Sequence, residues 1–224
     1  MKRAAIIIFL VLLVDQVSKV WIKTHMAIGD EFSVMGDWFM IHFLENNGMA
    51  WGMSFGGEYG KLFLSLFRLV AITGIGYYLY TLVKSKKDSL LITSISLIFA
   101  GAVGNIIDSL FYGIIFEKST SFHVAQAFPA DGGYATLFHG KVVDMLHFPL
   151  FNGIFPDWFP FVGGNYFEFF EPVFNIADSS ITIGVFILIL FQKRFFAETK
   201  TEDKEQEETT DEPIETEPKS EITE

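Results

Sequence analysis

The chain has 224 residues, half of them hydrophobic, and its mean hydropathy is +0.37. This composition excludes an ordinary soluble domain, and the absence of cysteine excludes disulfides, cysteine-ligated zinc and a thiol nucleophile. Most of the net charge of −11 lies in residues 198–224, which hold 12 acidic residues and 3 lysines, and the rest of the chain is too weakly charged for nucleic-acid binding.

Four apolar segments are long enough to cross a bilayer, which takes about 20 helical residues. They are residues 4–22, 62–83, 90–111 and 173–191. The first resembles a secretory signal peptide, but Asp15 and Gln16 follow it where small residues would mark a cleavage site. We therefore predict a four-span domain over residues 1–197, followed by a disordered acidic tail over 198–224, which has too little apolar surface to fold.

Basic residues predict how these spans are oriented, because they concentrate on the cytoplasmic side of a membrane. They occur before the first span, between the second and third, and after the fourth, at residues 2–3, 84–87 and 193–194. Both termini are then cytoplasmic, and residues 24–60 and 113–172 lie outside. In the first outer stretch, residues 31–43 favour a small hairpin. In the second, the aromatic residues of 154–170 indicate either a belt at the lipid headgroups or a lid over a site.

Ionisable residues within membrane spans are costly and are therefore candidates for function. In the stretch DQVSK, Asp15 and Lys19 are four residues apart and share one helix face, as a structural brace or as part of a site. A Ser18–Lys19 nucleophile pair is disfavoured, because adjacent helical residues diverge by about 100°. In GAVGNIID, small and polar residues recur every three or four positions. This stripe predicts a helix-packing seam that ends in Asn105 and Asp108.

Two further carboxylates lie near the outer ends of the spans. Asp144, in KVVDMLHF, reads either as a loop or strand-edge residue or as a working group. His139 and His147 lie nearby, but their irregular spacing is a weak metal signal. Asp178, in FNIADS, reads on its own as part of a helix cap with Asn175. Two carboxylates held close in a low-dielectric site share a proton, as in aspartic proteases, so one can activate water while the other polarises a carbonyl.

These residues together resemble the lipoprotein signal peptidase (signal peptidase II) family. The resemblance rests on five short blocks in the family's order: DQVSK, NNGMAWGM from Asn46, GAVGNIID from Gly101, VVD from Val142 and FNIADS from Phe174. It covers residues 10–190. It implies an all-α membrane protein of four transmembrane helices with a small extracytoplasmic β-cradle, located in the bacterial cytoplasmic membrane with its active site on the outer side.

The resemblance also implies a function. Family members are intramembrane aspartic endopeptidases that remove the signal peptide from diacylglyceryl-modified prolipoproteins, cleaving before the lipid-modified cysteine. The implied catalytic pair is Asp144 and Asp178. The implied supporting or substrate-binding residues are Asp15, Lys19, Asn46, Gly48, Asn105, Asp108, Asn175 and Ala177. No metal or cofactor is implied, and the expected partners are prolipoprotein substrates and membrane lipids, with the chain itself a monomer.

The sequence departs from the family pattern in three places. Ser109 stands where the family has an arginine that ties the polar network, and we expect Arg68 in the second span to compensate. The outer segments 113–141 and 154–170 are longer than usual, and the acidic tail lies outside the pattern. Two other readings stay open from the residues alone. One is a small proton- or ion-coupled transporter using Asp15, Asp108 and Asp178, and the other is a scaffold whose polar residues only clasp helices.

Overall fold

A computed structural model describes residues 1–48, 57–149, 151–169 and 172–210. Its helices are α1 (Lys2–His25), α2 (Gly57–Lys84), α3 (Ser89–Ile107), α4 (Gly113–Ile115) and α5 (Ile176–Thr210). Its strands are β1 (Glu31–Met35), β2 (Phe39–Asn46), β3 (Val142–His147), β4 (Phe151–Ile154) and β5 (Tyr166–Phe169). A π-helical turn, Asp108–Tyr112, joins α3 to α4.

Within the described residues, four helical stretches are long and apolar enough to cross a membrane, which confirms the predicted four spans. They are Lys2–His25, Tyr59–Lys84, Ser89–Ile115 and Ile176–Phe195. The third combines α3, the π-helical turn and α4. A π-helical turn inside a helix often accompanies a functional site, and this one begins at Asp108.

Small residues let α3 and α5 approach closely, as the predicted seam requires. A Cβ atom built on Gly101 would lie 2.2 Å from the carbonyl oxygen of Ala177, and one on Gly184 would lie 2.8 Å from that of Ser94. The Ser94 hydroxyl also donates to the Gly184 carbonyl at 2.6 Å. Close backbone approach of this kind replaces the hydrophobic driving force that is missing between helices in lipid.

The predicted outer hairpin is present as β1 and β2, which pair antiparallel through a turn with Gly36 at a φ of +56°. The third strand, β3, pairs antiparallel with β2 and completes a sheet in the order β1-β2-β3. The aromatic segment 154–170 includes the turn and the second strand of a second hairpin, β4 with β5, and its role as a belt or a lid stays a prediction. Residue 170, at the end of that segment, lies outside the described residues.

Two apolar clusters occupy opposite ends of the bundle. The first joins the end of α1 to the sheet and the π-helical turn, and its buried members are Ile22, Met26, Phe43, Tyr112, Phe116, Val143 and Met145. The second joins α2 to α3 through Leu79, Leu82 and Ile95. The first cluster fixes the sheet against the helix ends, and β3 lies in that contact.

The fourth membrane helix differs from its predicted bounds at both ends. It begins at Ile176 rather than 173, because Phe174 makes an antiparallel bridge with Leu146 of β3 and is therefore extended. It continues to Thr210, so residues 198–210 are helical within the segment predicted to be disordered. Residues 211–224 lie outside the described residues, and a disordered tail stays a prediction for them.

A charged contact joins two helices at the end of the bundle opposite the sheet. Asp88 caps α3 by accepting hydrogen bonds from the main-chain N–H groups of Leu90 at 2.7 Å and Leu91 at 3.1 Å. The Arg194 Nε on α5 donates to the other Asp88 oxygen at 2.9 Å. This contact joins the start of α3 to α5 beyond the apolar part of both helices.

Candidate active site

Strand β3 carries Asp144 into the interior at the edge of the helix bundle. The strand is rich in β-favouring apolar residues, and Asp144 pairs with Leu44 of β2 in the sheet register. The residue is only 5% exposed. Asp144 is therefore a buried carboxylate on β3, an edge strand of the sheet, and not an ordinary loop residue.

Asp178 lies in the first turn of α5 and takes part in the helix cap. The Asn175 side-chain oxygen accepts a hydrogen bond from the Asp178 N–H at 2.9 Å, and the Asn175 N–H points back to an Asp178 carboxylate oxygen at 3.4 Å. This reciprocal pair is a capping box with Asp in the place of the usual Glu. The other Asp178 oxygen faces the bundle and accepts from the Asn105 side chain at 2.7 Å.

Two asparagines connect the aspartates. The side-chain nitrogen of Asn175 lies 2.8 Å from an Asp144 oxygen and 3.1 Å from the Asn105 side-chain oxygen. Asn105 in turn donates to Asp178. Asn175 and Asn105 thus link Asp144 to Asp178, although 34 residues and a second hairpin separate the two aspartates in sequence.

Lys19 is the cation beneath this group. Its ammonium lies 3.0 Å from Asp15, 2.9 Å from Asp108 and 3.0 Å from the Asn105 side-chain oxygen. All three charged side chains are fully buried. The predicted Asp15–Lys19 face therefore exists and extends to Asp108, so the ionic group orients Asn105 toward Asp178.

Gln16 also belongs to the network, although sequence reasoning did not single it out as a site residue. Its side-chain nitrogen donates to Asp15 and to Asp108, both at 3.0 Å, and its oxygen accepts from the Tyr112 hydroxyl at 3.2 Å. The feature of the sequence that could have identified Gln16 was its position beside Asp15 in an apolar helix. Asp15 itself accepts from the Ala177 N–H at 2.9 Å, which joins α1 to the start of α5.

Asn46, at the end of β2, holds Asp144 from the other side. Its side-chain nitrogen donates to an Asp144 oxygen, and its side-chain oxygen accepts from the N–H of Gly48. Gly48 has a φ of +84°, which favours glycine, and its carbonyl accepts from Arg68. The remainder of the NNGMAWGM block, residues 49–53, lies outside the described residues.

Arg68 is therefore not beside Asp108, where the sequence suggested that it would replace the missing arginine. Its guanidinium contacts the carbonyl of Gly48, and a Cβ atom on Gly48 would lie 2.5 Å from an Arg68 nitrogen. The cation on Asp108 is Lys19. Ser109 stands where the family has an arginine, and its hydroxyl donates a hydrogen bond to the Asn105 carbonyl at 3.1 Å.

The surroundings of Asp144 favour its protonated form. Burial, reinforced by the negative charge of Asp178, raises the pKa of Asp144 to about 7, and hydrogen bonds from Asn46 and Asn175 oppose that rise. A carboxyl that is neutral near pH 7 can donate a hydrogen bond to a carbonyl oxygen. With a second carboxylate nearby, the arrangement can perform acid–base chemistry on an amide.

The described residues form neither the Ser18–Lys19 nucleophile pair nor a metal site of His139, Asp144 and His147. The Ser18 hydroxyl donates to the carbonyls of Val14 and Asp15, not to Lys19. The half-buried His139 ring contacts Thr136 and Leu137. Within the described ranges, His139 and Asp144 do not join His147 in a group able to hold a metal.

Comparison with known proteins relates the chain to one family. The family model described as signal peptidase (SPase) II matches residues 7–194. A lipoprotein signal peptidase of Porphyromonas gingivalis is 53% identical over 194 residues, which cover 86% of this chain and 84% of that protein. One of Amoebophilus asiaticus is 36% identical over 208 residues, covering 92% and 83%. One of Staphylococcus carnosus is 32% identical over 181 residues, covering 80% and 83%.

Two solved structures have a similar fold. Both are structures of bacterial membrane enzymes obtained by the in meso method, one at 2.3 Å and one at 1.9 Å resolution. The first is 29% identical, with a TM-score of 0.56 over 87% of this chain and 89% of that one. The second is also 29% identical, with a TM-score of 0.53 over 85% and 92%.

Proposed function

This chain belongs to the signal peptidase II family of membrane peptidases, and we propose that it cleaves diacylglyceryl-modified prolipoproteins by an aspartic mechanism. The proposed products are the free signal peptide and a lipoprotein that begins at the lipid-modified cysteine. The family assignment supports the peptidase prediction and not the transporter alternative.

The proposed catalytic pair is Asp144 and Asp178. The observation that carries this assignment is the amide group of Asn175, which contacts Asp144 through its side chain and caps the turn that holds Asp178. Two carboxylates held by one residue in a buried site interact strongly, so one keeps a proton while the other stays ionised. Because the pKa of Asp144 is raised to about 7, we assign the proton to Asp144.

The reaction then follows from these two states. Ionised Asp178 accepts a proton from water while the water oxygen attacks the carbonyl carbon of the scissile amide. Protonated Asp144 donates a hydrogen bond to the carbonyl oxygen and stabilises the negative charge that develops there. The C–N bond of the tetrahedral intermediate breaks as Asp178 passes its proton to the leaving nitrogen, which returns the pair to its starting protonation state.

The polar residues around the pair hold it without contacting the amide. Lys19, Asp15 and Asp108 form a buried ionic group that orients Asn105. Arg68 and Gly48 position Asn46 against Asp144. Such support matters because an error of 1 Å in a reacting group can cost about 10²-fold in rate.

We place the pair at the extracytoplasmic surface of the bacterial cytoplasmic membrane, with both termini cytoplasmic. Basic residues at 2–3, 84–87 and 193–194 support this orientation. Asp144 lies on the sheet, and Asp178 lies in the first turn of a membrane helix. A substrate anchored by acyl chains would therefore present its amide at that depth. We treat the chain as a monomer.

The test uses purified full-length protein in detergent or liposomes. Diacylated and non-acylated forms of one prolipoprotein are incubated with the wild type, with Asp144→Asn and with Asp178→Asn. We expect only the wild type to cleave, only the diacylated form to be cut, and the new N-terminus to be the modified cysteine. Each variant should lose at least about 10³-fold in kcat.

Three outcomes would reject parts of this proposal. Full activity in either variant would reject the pair, and equal cleavage of both substrate forms would reject the lipid requirement. Ion or solute flux in liposomes without any cleavage would favour the transporter. Membrane insertion and thermal unfolding of each variant serve as controls for folding.

A further inference from the structure

A second cluster of titratable side chains lies on the three-stranded sheet. Glu31, His42 and His147 each offer one ligand atom, and these atoms all lie within 4.8 Å of one another. They come from β1, β2 and β3 respectively. We propose that these three residues bind a divalent transition-metal ion such as Zn²⁺, which cross-links the strands of the sheet that carries Asp144.

The strand register brings the three side chains together. Glu31 is the direct cross-strand partner of His42, and Met40 is the partner of His147. His42 is two residues from Met40, so it is a diagonal neighbour of His147. Diagonal neighbours lie about 7–8 Å apart at the backbone, which is within reach of long or aromatic side chains. The sheet itself therefore fixes the cluster.

The distances suit a metal after small side-chain rotations. His42 Nδ1 lies 3.7 Å from a Glu31 oxygen, and the two imidazole centroids lie 5.6 Å apart at an interplanar angle of 57°. Zinc bound tetrahedrally at about 2.0–2.2 Å brings its ligand atoms to about 3.4 Å from one another. The Glu31–His42 pair is near that separation, and the tilted rings can turn toward one point.

The burial of the three residues supports both entry and retention of an ion. The side chains of Glu31 and His42 are 50% and 23% exposed, whereas His147 is 8% exposed. An ion could therefore enter from solvent and be held on its inner side. Two imidazoles and one carboxylate are ligands that zinc accepts, and three protein ligands leave one position for water.

The site would stabilise the sheet and would not take part in the peptidase chemistry. His147 lies at the end of β3, the strand that presents Asp144, and the ion would tie that end to β1 and β2.

The experiment uses full-length protein in detergent, stripped with a chelator. Co²⁺ is titrated as the spectroscopic probe, and Zn²⁺ is then added in competition. We expect one Co²⁺ per chain with the absorption of a tetrahedral site, displacement by Zn²⁺, and a higher unfolding midpoint with Zn²⁺. Glu31→Gln and His42→Gln should each weaken Zn²⁺ binding by at least about tenfold.

His123→Gln is the matched control, because His123 also faces a carboxylate, Glu117 at 2.9 Å, but lies on a loop outside the sheet. That variant should bind Zn²⁺ as the wild type does. The proposal is overturned if the wild type binds no stoichiometric metal, if binding survives in a Glu31→Gln/His42→Gln double variant, or if it is lost in His123→Gln. The readout is independent of cleavage.

Discussion

The side-chain nitrogen of Asn175 lies 2.8 Å from an Asp144 oxygen, while the side-chain oxygen of the same residue accepts from the N–H of Asp178 at 2.9 Å. One amide group thus serves two purposes. It caps α5, and it sets the position of one carboxylate relative to the other. The two purposes can be separated by substitution.

Asn175→Ser and Asn175→Ala should differ in stability but not in activity. Serine can still cap the helix, whereas alanine cannot, and loss of a cap costs about 1 kcal/mol. Both lose the donor to Asp144, so both should lose about 10²-fold in kcat through misplacement of the pair. Thermal unfolding and cleavage rates check this. If serine restores cleavage as well as stability, Asn175 acts only as a cap.

The raised pKa of Asp144 predicts an alkaline limit to activity. The group is neutral below about pH 7 and loses its proton as the pH rises, so it can no longer donate to the substrate carbonyl. The rate should then fall about tenfold for each pH unit well above that value. A profile of kcat/KM against pH in a stable detergent measures this limb. A rate that is flat to pH 9 would contradict protonated Asp144 as the acid.

Asn46→Ala should move that limb toward higher pH. The hydrogen bond from Asn46 stabilises ionised Asp144 and lowers its pKa, so removing the bond raises the pKa further. The same profile measured on the variant gives the shift. Asn47→Ala is the control, because the Asn47 side-chain oxygen accepts from Lys61 at 3.2 Å instead, and this variant should leave the alkaline limb of the pH profile where it is. Movement of the limb to lower pH would reverse the assigned sign.

The sequence was sufficient for the spans and the first hairpin, whereas the catalytic pair Asp144 and Asp178 stays a prediction and the contacts that link them could not be read from the sequence. The four long apolar runs are local patterns, and so the spans could be read directly from the sequence. The contacts of Arg68 could not be predicted from the sequence, because they depend on how the chain turns at Gly48. The third strand, β3, was also not predicted, since its partner β2 lies about a hundred residues earlier in the sequence.

Lys19→Met tests the buried ionic group. Removing the ammonium leaves Asp15 and Asp108 facing each other without a cation, and breaking a buried pair costs about 3–5 kcal/mol. Adding Asp108→Asn should recover part of the loss, because one of the two carboxylate charges is then removed. Unfolding midpoints of the two single variants and the double variant measure the coupling. Strictly additive losses would show that Lys19 and Asp108 do not interact energetically.

Arg68→Leu distinguishes two roles for that arginine. If Arg68 holds Gly48, the variant should displace Asn46 and lower the cleavage rate with little effect on the Lys19–Asp108 pair. The loss should then be additive with that of Lys19→Met in stability, because residues without shared contacts act independently. Unchanged cleavage would show that the Gly48 contact does not support the site.

Gly101→Ala tests whether close packing of α3 on α5 positions the pair. The new Cβ atom would lie 2.2 Å from the Ala177 carbonyl oxygen, so the helices must separate, and overpacking of this kind costs about 1–3 kcal/mol. Because Asp178 follows Ala177 directly, we also expect a lower cleavage rate. Gly74→Ala in α2 is the control, since its added Cβ would meet no atom within 4 Å beyond its chain neighbours and the backbone of its own helix, and alanine favours a helix. That variant should be as active as the wild type and no less stable, and a similar loss in both variants would reject the packing argument.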